Sequence, residues 1–308
     1  MTTTTAAPAA TGRRAPRRQT LARRQAVWGW VFALPATLHI ALWTGFPILV
    51  AMLLSLTHYD MLNPPSWAGI SNYTAIANDP LFWRAMWHNL IIAAVGIPVS
   101  MLLALVLAVL LNQGVRGTGA FRTAVFLPHV TATVAIAMIW LWIYSPGQNG
   151  LLNYVGGFLG IPNQPFLNSP SQALPAVILV TIWQGLGLKT MIYLASLQTI
   201  DQQLYEAAEI DGASAVQRFR HITVPILAPT TFFILVTSII GNFQTFDLIY
   251  VLTSGGPANS TTVVTYEIYE TAFQQFRMGL ASAQSVVLLV VLVVLTVLAR
   301  RLTGGRDD

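Results

Sequence analysis

Long apolar runs separated by short polar breaks cover almost the whole chain. Six runs lie at about 28–56, 89–111, 123–144, 173–197, 229–253 and 279–299. A helix needs roughly 20 mainly apolar residues to cross the hydrocarbon core of a bilayer. The pattern therefore predicts an all-α polytopic membrane protein with six transmembrane helices. Strands of a membrane barrel would be about ten residues long and strictly alternating, which these runs are not.

The polar breaks are of two kinds. Residues 57–88 and 145–172 are punctuated by Pro64, Pro65, Pro146, Pro162, Pro165 and Pro170, with Trp67, Tyr73, Trp83 and Trp87 in the first break. Proline marks irregular connections, and such aromatics suit a membrane interface. The break at 198–228 is different, because it carries Glu206, Glu209, Asp211, Arg218, Arg220 and His221 in a chain that is only 9% charged. Asp201 is placed to cap a helix over Gln202–Ile210. Gly212 permits a positive-φ turn, and Ser214 starts a second short helix running to about His221. Pro225 and Pro229 end that helix and open the next span.

Composition supports the membrane reading. The chain is 55% hydrophobic, and its charge is far below the quarter or so carried by soluble domains. It holds no cysteine, so a disulfide, a thiolate metal site and a cysteine nucleophile are excluded. The five histidines are scattered without metal-ligand spacing. No phosphate-binding loop of the form Gly-x-x-x-x-Gly-Lys-Ser/Thr occurs, so the chain is not expected to be its own ATPase, and no catalytic constellation stands out. Residues 1–27 read as a disordered basic tail, 28–303 as the six-helix transmembrane domain and 304–308 as a C-terminal tail. The six arginines of the first tail, directly before an apolar helix, predict an anchor on anionic lipid rather than nucleic-acid binding. With the N-terminus placed in the cytoplasm, thirteen of the sixteen basic residues fall on that side, Arg84 and Arg277 fall outside, and Lys189 lies inside the fourth span. Both termini and the 198–228 loop are then cytoplasmic.

Polar groups inside a membrane are expensive unless they face a cavity or a partner. Ser238, Gly241, Asn242 and Thr245 share one face of the fifth span at helical spacing. Their amides and hydroxyls suit sugar hydroxyls, and Phe243 or Phe246 would suit stacking on a sugar ring. The alternative is helix–helix packing through small and polar residues. Lys189 and Asp247 are the charges nearest the membrane interior. An intramembrane pair, a lysine facing an anionic substrate and a snorkelling lysine all remain open.

One stretch is family-specific. Glu206-Ala207-Ala208, then Gly212, then Ile222-Thr223-Val224-Pro225 resembles the EAA motif of binding-protein-dependent ABC importer permeases, with valine where that motif has leucine. Gly69-Ile70-Ser71-Asn72-Tyr73, Asp79-Pro80 and Leu252-Thr253-Ser254-Gly255-Gly256-Pro257 are similar to the sugar-permease branch, of the maltose- and glycerol-3-phosphate-transporter type. The resemblance covers about 28–303. It implies a type I ABC importer permease fold in the bacterial cytoplasmic membrane. It also implies a second homologous permease, two copies of a cytoplasmic ABC ATPase carrying ATP and Mg, and an extracytoplasmic substrate-binding protein. No cofactor is expected in this chain.

The resemblance implies that Glu206, Ala207, Ala208, Gly212, Ile222 and Pro225 couple to the ATPase. It points to Gln184, Gly185 and Leu188 in the fourth span, together with Ser238, Gly241, Asn242 and Thr245, as the substrate path. Two other readings stand beside a carbohydrate permease: a stand-alone secondary transporter, and an ABC permease for glycerol-3-phosphate. The first should show inverted repeats and paired intramembrane acids, and the sequence has neither.

Overall fold

The structure, a computed structural model, describes residues 17–113 and 117–302. Arg13, Arg14, Arg116, Arg306 and the 304–308 tail lie outside the described residues. The chain divides into two units, Met1–Leu53 and Leu54–Asp308.

The first unit holds α1 (Arg17–Ile40), a π-helical turn (Ala41–Gly45) and most of α2 (Phe46–Leu54). Together, Arg23–Leu54 form a 32-residue helix apolar enough to cross a membrane. The expectation of a disordered tail to residue 27 is corrected here: the helix already begins at Arg17. Arginine, leucine, alanine and glutamine favour helix, and the tail residues continue the apolar helix that follows them.

The second unit opens with a two-residue antiparallel ribbon, β1 (Thr57–His58) against β2 (Ser66–Trp67). Helix α3 (Ser71–Ala77) follows. Asn72 Nδ2 donates to the carbonyls of Ser55 and Thr57, each at 2.9 Å, and the Tyr73 hydroxyl meets Ser55 Oγ at 2.7 Å. The Gly69–Tyr73 stretch therefore acts locally, pinning α3 to the chain before the ribbon.

Helix α4 (Pro80–Leu111) starts nine residues earlier than the apolar run at 89. Asp79 Oδ1 accepts from Leu81 N at 2.9 Å, and Pro80 takes the first position, where its missing N–H is harmless. The third run is two helices, α5 (Thr118–Val130) and α6 (Thr133–Ile143), bent by 100°. Short α7 (Leu151–Phe158) leads to α8 (Ala173–Leu197). The next polar break holds α9 (Gln202–Ile210), α10 (Ala215–Arg218), a π-helical turn (Phe219–Thr223) and α11 (Val224–Ile226). A 61° bend at Leu227 then leads into α12 (Ala228–Phe243).

The expected fifth span, 229–253, is not continuous. It ends at Phe243 and restarts as α13 (Asp247–Leu252), and α14 (Val264–Tyr269) and α15 (Met278–Leu302) complete the unit. Four helices are long and apolar enough to span a membrane alone, and six spans result if each bent pair counts as one.

Helix α4 is the spine of the second unit. Its first turns, at Phe82, Ala85 and Met86, pack with Phe243, Val264, Leu280 and Ala283. Its middle, at Ile92, packs with Ile136, Val177, Val180 and Leu248. Its last turns, at Ala104 and Ala108, pack with Tyr193, Leu194, Leu197 and Leu227. Because the middle of α4 meets the start of α8 and the last turns of both meet, α4 and α8 run in the same direction. Gly187 lets α8 approach α5 closely, since a Cβ there would collide with the Val125 carbonyl.

Candidate functional site: an intramembrane cavity and a polar helical loop

The polar loop forms much as its sequence indicates. Asp201 Oδ1 accepts from Gln203 N at 2.9 Å and caps α9. Gly212 adopts φ +80°, and the backbone N–H of Ala213 returns to the Ala208 carbonyl at 2.8 Å. Ser214 and Gln217 then form a reciprocal capping box that starts α10. A single ion pair, absent from the sequence reading, joins the two helices: Arg218 Nη1 to Glu209 Oε2 at 2.7 Å. Glu206, Ala207, Gly212 and Pro225 are exposed, whereas Ala208 and Ile222 are half-buried. Ala208, Gly212 and Ile222 line a shallow cleft of about 340 Å³ with Asp211, Gln217 and Arg218. Ile210 and Val216 in the same loop are 87% and 75% exposed. The loop thus offers a recess lined by small residues and, separately, two exposed apolar side chains.

The second site is a cavity of about 330 Å³ between α8 and α12, closed at one side by α5 and α6. Every substrate-path residue read from the sequence lines it: Gln184, Gly185 and Leu188 from α8, and Ser238, Gly241, Asn242 and Thr245 from α12 and the residues just past it. Lys189 lines it too.

Helix geometry explains the convergence. Thr181, Gln184, Gly185, Leu188, Lys189 and Ile192 form one stripe on α8 at spacings of three and four. Ile234, Thr237, Ser238, Gly241, Asn242 and Thr245 repeat that spacing from α12. The stripe rule would have found Thr181 and Thr237, which the sequence reading missed. His129 and Thr133 also line the cavity. They come together only because α5 and α6 bend between them, and nothing local in the sequence signals that.

Within the cavity, Gln184 Nε2 donates to Thr133 Oγ1 at 3.1 Å. Asn242 Nδ2 donates to the Ser238 carbonyl at 3.0 Å, and its Oδ1 is buried without a partner. Asn89 on α4 holds this region in place. Its Nδ2 donates to the Asn242 carbonyl at 3.2 Å, and its Oδ1 accepts from Val264 N at 2.9 Å. Thr265 Oγ1 donates to the Thr245 carbonyl at 2.7 Å. The α14 start therefore clamps the break after α12, fixing the wall on which Asn242 and Thr245 sit.

Two expectations are corrected. Lys189 and Asp247 do not pair: Lys189 Nζ donates to Ser100 Oγ at 2.6 Å, and Arg218–Glu209 is the sole ion pair among the described residues. The reason is the break after Phe243, which restarts the helix and leaves Asp247 exposed in the first turn of α13. Phe243 and Phe246 do not face the cavity. Phe243 is fully buried against Phe82 and Val264, while Phe246 stacks on Tyr250 at 5.4 Å and meets Tyr269 at 5.1 Å. Of the α8 positions, Leu188 presents an aliphatic rather than a stacking surface.

A cavity lined by hydroxyls and amides within apolar helices, together with an exposed helical loop of small and charged residues, defines a membrane-embedded subunit of a transport system. The family model described as "Binding-protein-dependent transport system inner membrane component" matches residues 96–305, and the chain belongs to that family of ABC importer permeases. The chain is 37% identical over 282 residues to the lactose transport system permease protein LacF of Rhizobium radiobacter, covering 89% of this chain and 93% of that protein. It is 35% identical over 242 residues to the sn-glycerol-3-phosphate transport system permease protein UgpA of Agrobacterium fabrum, covering 78% and 82% respectively. Its fold matches a chain in the crystal structure of a bacterial ABC transporter involved in the import of the acidic polysaccharide alginate. That match has a TM-score of 0.80 and 24% identity, and covers 95% of this chain and 100% of the other.

Proposed function

We propose that this chain is one of two homologous permease subunits of a bacterial ABC importer. It forms one wall of the path for a carbohydrate that an extracytoplasmic binding protein delivers. Two copies of a separate ATPase hydrolyse ATP with Mg in the cytoplasm, and the chain takes their motion through the loop of α9 and α10. In this reading both termini lie on the cytoplasmic side, the orientation that the distribution of arginines favours.

The convergence of Gln184, Ser238, Asn242 and Thr245 on one cavity carries the carbohydrate reading. These side chains donate to and accept from hydroxyls without demanding a charge, which is how polar groups in an apolar pocket orient a ligand. The names of LacF and UgpA speak of lactose and of sn-glycerol-3-phosphate, and both fit such a lining.

In the loop, Glu206, Ala207, Ala208 and Gly212 would meet the ATPase, with Ile222 and Pro225 fixing the return into the membrane. A small recess accepts a close contact, and the exposed Ile210 and Val216 supply apolar area in the same loop. Rigid-body movement of the docked ATPase then reaches α12 through the bend at Leu227.

The chain has no cysteine, so single-cysteine variants report proximity without background. Ala207→Cys, paired with cysteines introduced around the ATPase surface, should cross-link in membranes of cells expressing the whole importer. An assembled importer in which no ATPase position reacts with Ala207→Cys, although cysteines in the membrane helices react with the second permease, would overturn the docking assignment.

A further inference from the structure

Among the side chains lining the intramembrane cavity, Lys189 is the single lysine or arginine, and no aspartate or glutamate lines it. Its ammonium has three donors, of which one is used, on Ser100 Oγ at 2.6 Å. Ser100 is itself fully buried on α4 and donates to the Ile97 carbonyl at 3.0 Å. Lys189 is therefore held in place by a neutral group and has no counter-ion among the described residues. Its amine lies over Gly185, one turn back along α8, where a Cβ would come within 3.3 Å of Nζ. Gly185, Gln184 and Asn242 line the same cavity as Lys189. His129 is the other titratable group on this cavity.

A neutral residue would link α8 to Ser100 just as well. A lysine inside a span is expensive, and in membrane proteins such charges face a pathway or a partner. The exposed Asp247 is not that partner. The geometry points to a cavity built for an anionic carbohydrate, with Lys189 as the residue that holds its carboxylate, phosphate or sulfonate group. The inference rests on the carbohydrate-path reading above and narrows its ligand class. In this arrangement Ser100 positions the ammonium, Lys189 makes a charge-assisted hydrogen bond to the oxyanion, and Asn242 and Gln184 take neighbouring hydroxyls. The substrate charge replaces the missing counter-ion only while the substrate is in the cavity, so the anion both selects for entry and leaves with transport.

The test is saturation-transfer NMR on the importer assembled from the full chain, its partner permease and its ATPase, without the binding protein. The probes are methyl β-D-glucuronide and its neutral counterpart methyl β-D-glucoside at equal concentration. The glucuronide should bind about tenfold more tightly, the discrimination expected of one charge-assisted hydrogen bond. That preference should disappear in Lys189→Met and survive in Lys189→Arg. Glycerol 3-phosphate should compete with the glucuronide, which separates a general oxyanion site from a carboxylate-specific one; either outcome supports the assignment to Lys189. Equal binding of the two glycosides overturns the anion site, leaves the carbohydrate path standing, and would indicate a counter-ion from the second permease. A preference that persists in Lys189→Met overturns the role of Lys189. The wild-type comparison needs no variant, so it decides the matter even where Lys189→Met does not assemble. ATP hydrolysis by the same preparation, stimulated by the loaded binding protein, reports the importer reading separately.

Discussion

Arg218 Nη1 lies 2.7 Å from Glu209 Oε2 and ties the end of α10 to the end of α9 across the Gly212 turn. The carboxylate is 69% exposed. A pair this open contributes only about 0.2–1 kcal/mol to stability. Its consequence is the fixed angle between two short helices that propensity alone would not hold together. Glu209→Gln and Arg218→Met should each leave the melting temperature nearly unchanged while lowering binding-protein-stimulated ATP hydrolysis severalfold. The double exchange Glu209→Arg with Arg218→Glu should recover much of it. A stimulated rate equal to wild type in both single variants would show that the loop angle does not matter for coupling.

Asn89 should matter for the cavity without touching it. Asn89→Ala strips the buried Val264 N–H of its acceptor and the Asn242 carbonyl of one of its donors. Leaving a buried N–H unpaired costs on the order of 1–3 kcal/mol. Thermal unfolding in detergent should show that loss. Transport should also fall, because the wall carrying Asn242 and Thr245 is released. Asn242→Ala should instead lower transport with a smaller loss of stability, since its Oδ1 has no partner to lose.

Two glycines separate packing from path. A Cβ at Gly187 would strike the backbone of Val125, whereas a Cβ at Gly241 meets nothing within 4 Å. Gly187→Ala must push α5 from α8 and should destabilise the protein by about 1–3 kcal/mol, the usual range for overpacking. Gly241→Ala should fold normally, and Gly241→Trp should fold yet block transport by filling the cavity. Unfolding curves and transport rates of the three variants check this. Loss of stability in Gly241→Ala would place that face in a packed interface rather than on the path.

Glu267, on α14 between the last two membrane segments, gives a pH signature. Burial above all, then the charges of Asp79 and Glu270, lift its carboxyl to about 7 from an ordinary value of 4.5. Its Oε2 is buried and unpartnered. The folded protein therefore keeps a proton between about 4.5 and 7 that the unfolded chain has released. Stability should decline as pH rises through that interval and level off above it. Glu267→Gln should remove this part of the decline and raise the melting temperature at neutral pH. Melting temperatures of both proteins from acid to neutral pH provide the comparison; parallel curves would refute the assignment.

Local chemistry was legible where short-range rules operate. The caps at Asp201 and Ser214 and the turn at Gly212 stand where the sequence places them. The α8 and α12 stripes follow from helical spacing, which is why Gln184 and Asn242 line one cavity. Long-range geometry was not legible. Hydropathy alone does not distinguish a straight span from α5 and α6 bent by 100°, nor does it reveal that α12 stops at Phe243. A Lys189–Asp247 pair was one open reading because both residues lie in apolar runs; the helix break leaves Asp247 exposed, and the serine that does hold Lys189 is 89 residues away in sequence. Glu209 and Arg218, nine residues apart across a turn, pair for a reason visible only once the turn is formed.

The central claim is that this chain transports by being driven from outside itself. Its most direct test is uptake of the binding protein's labelled ligand into proteoliposomes that contain the chain, its partner permease and the ATPase. The predicted result is uptake that requires ATP and Mg on the ATPase side, is absent from vesicles holding the chain alone, and is abolished by Glu206→Lys while the chain remains in the membrane. Uptake by the chain alone, driven by an ion gradient without ATP, would contradict it.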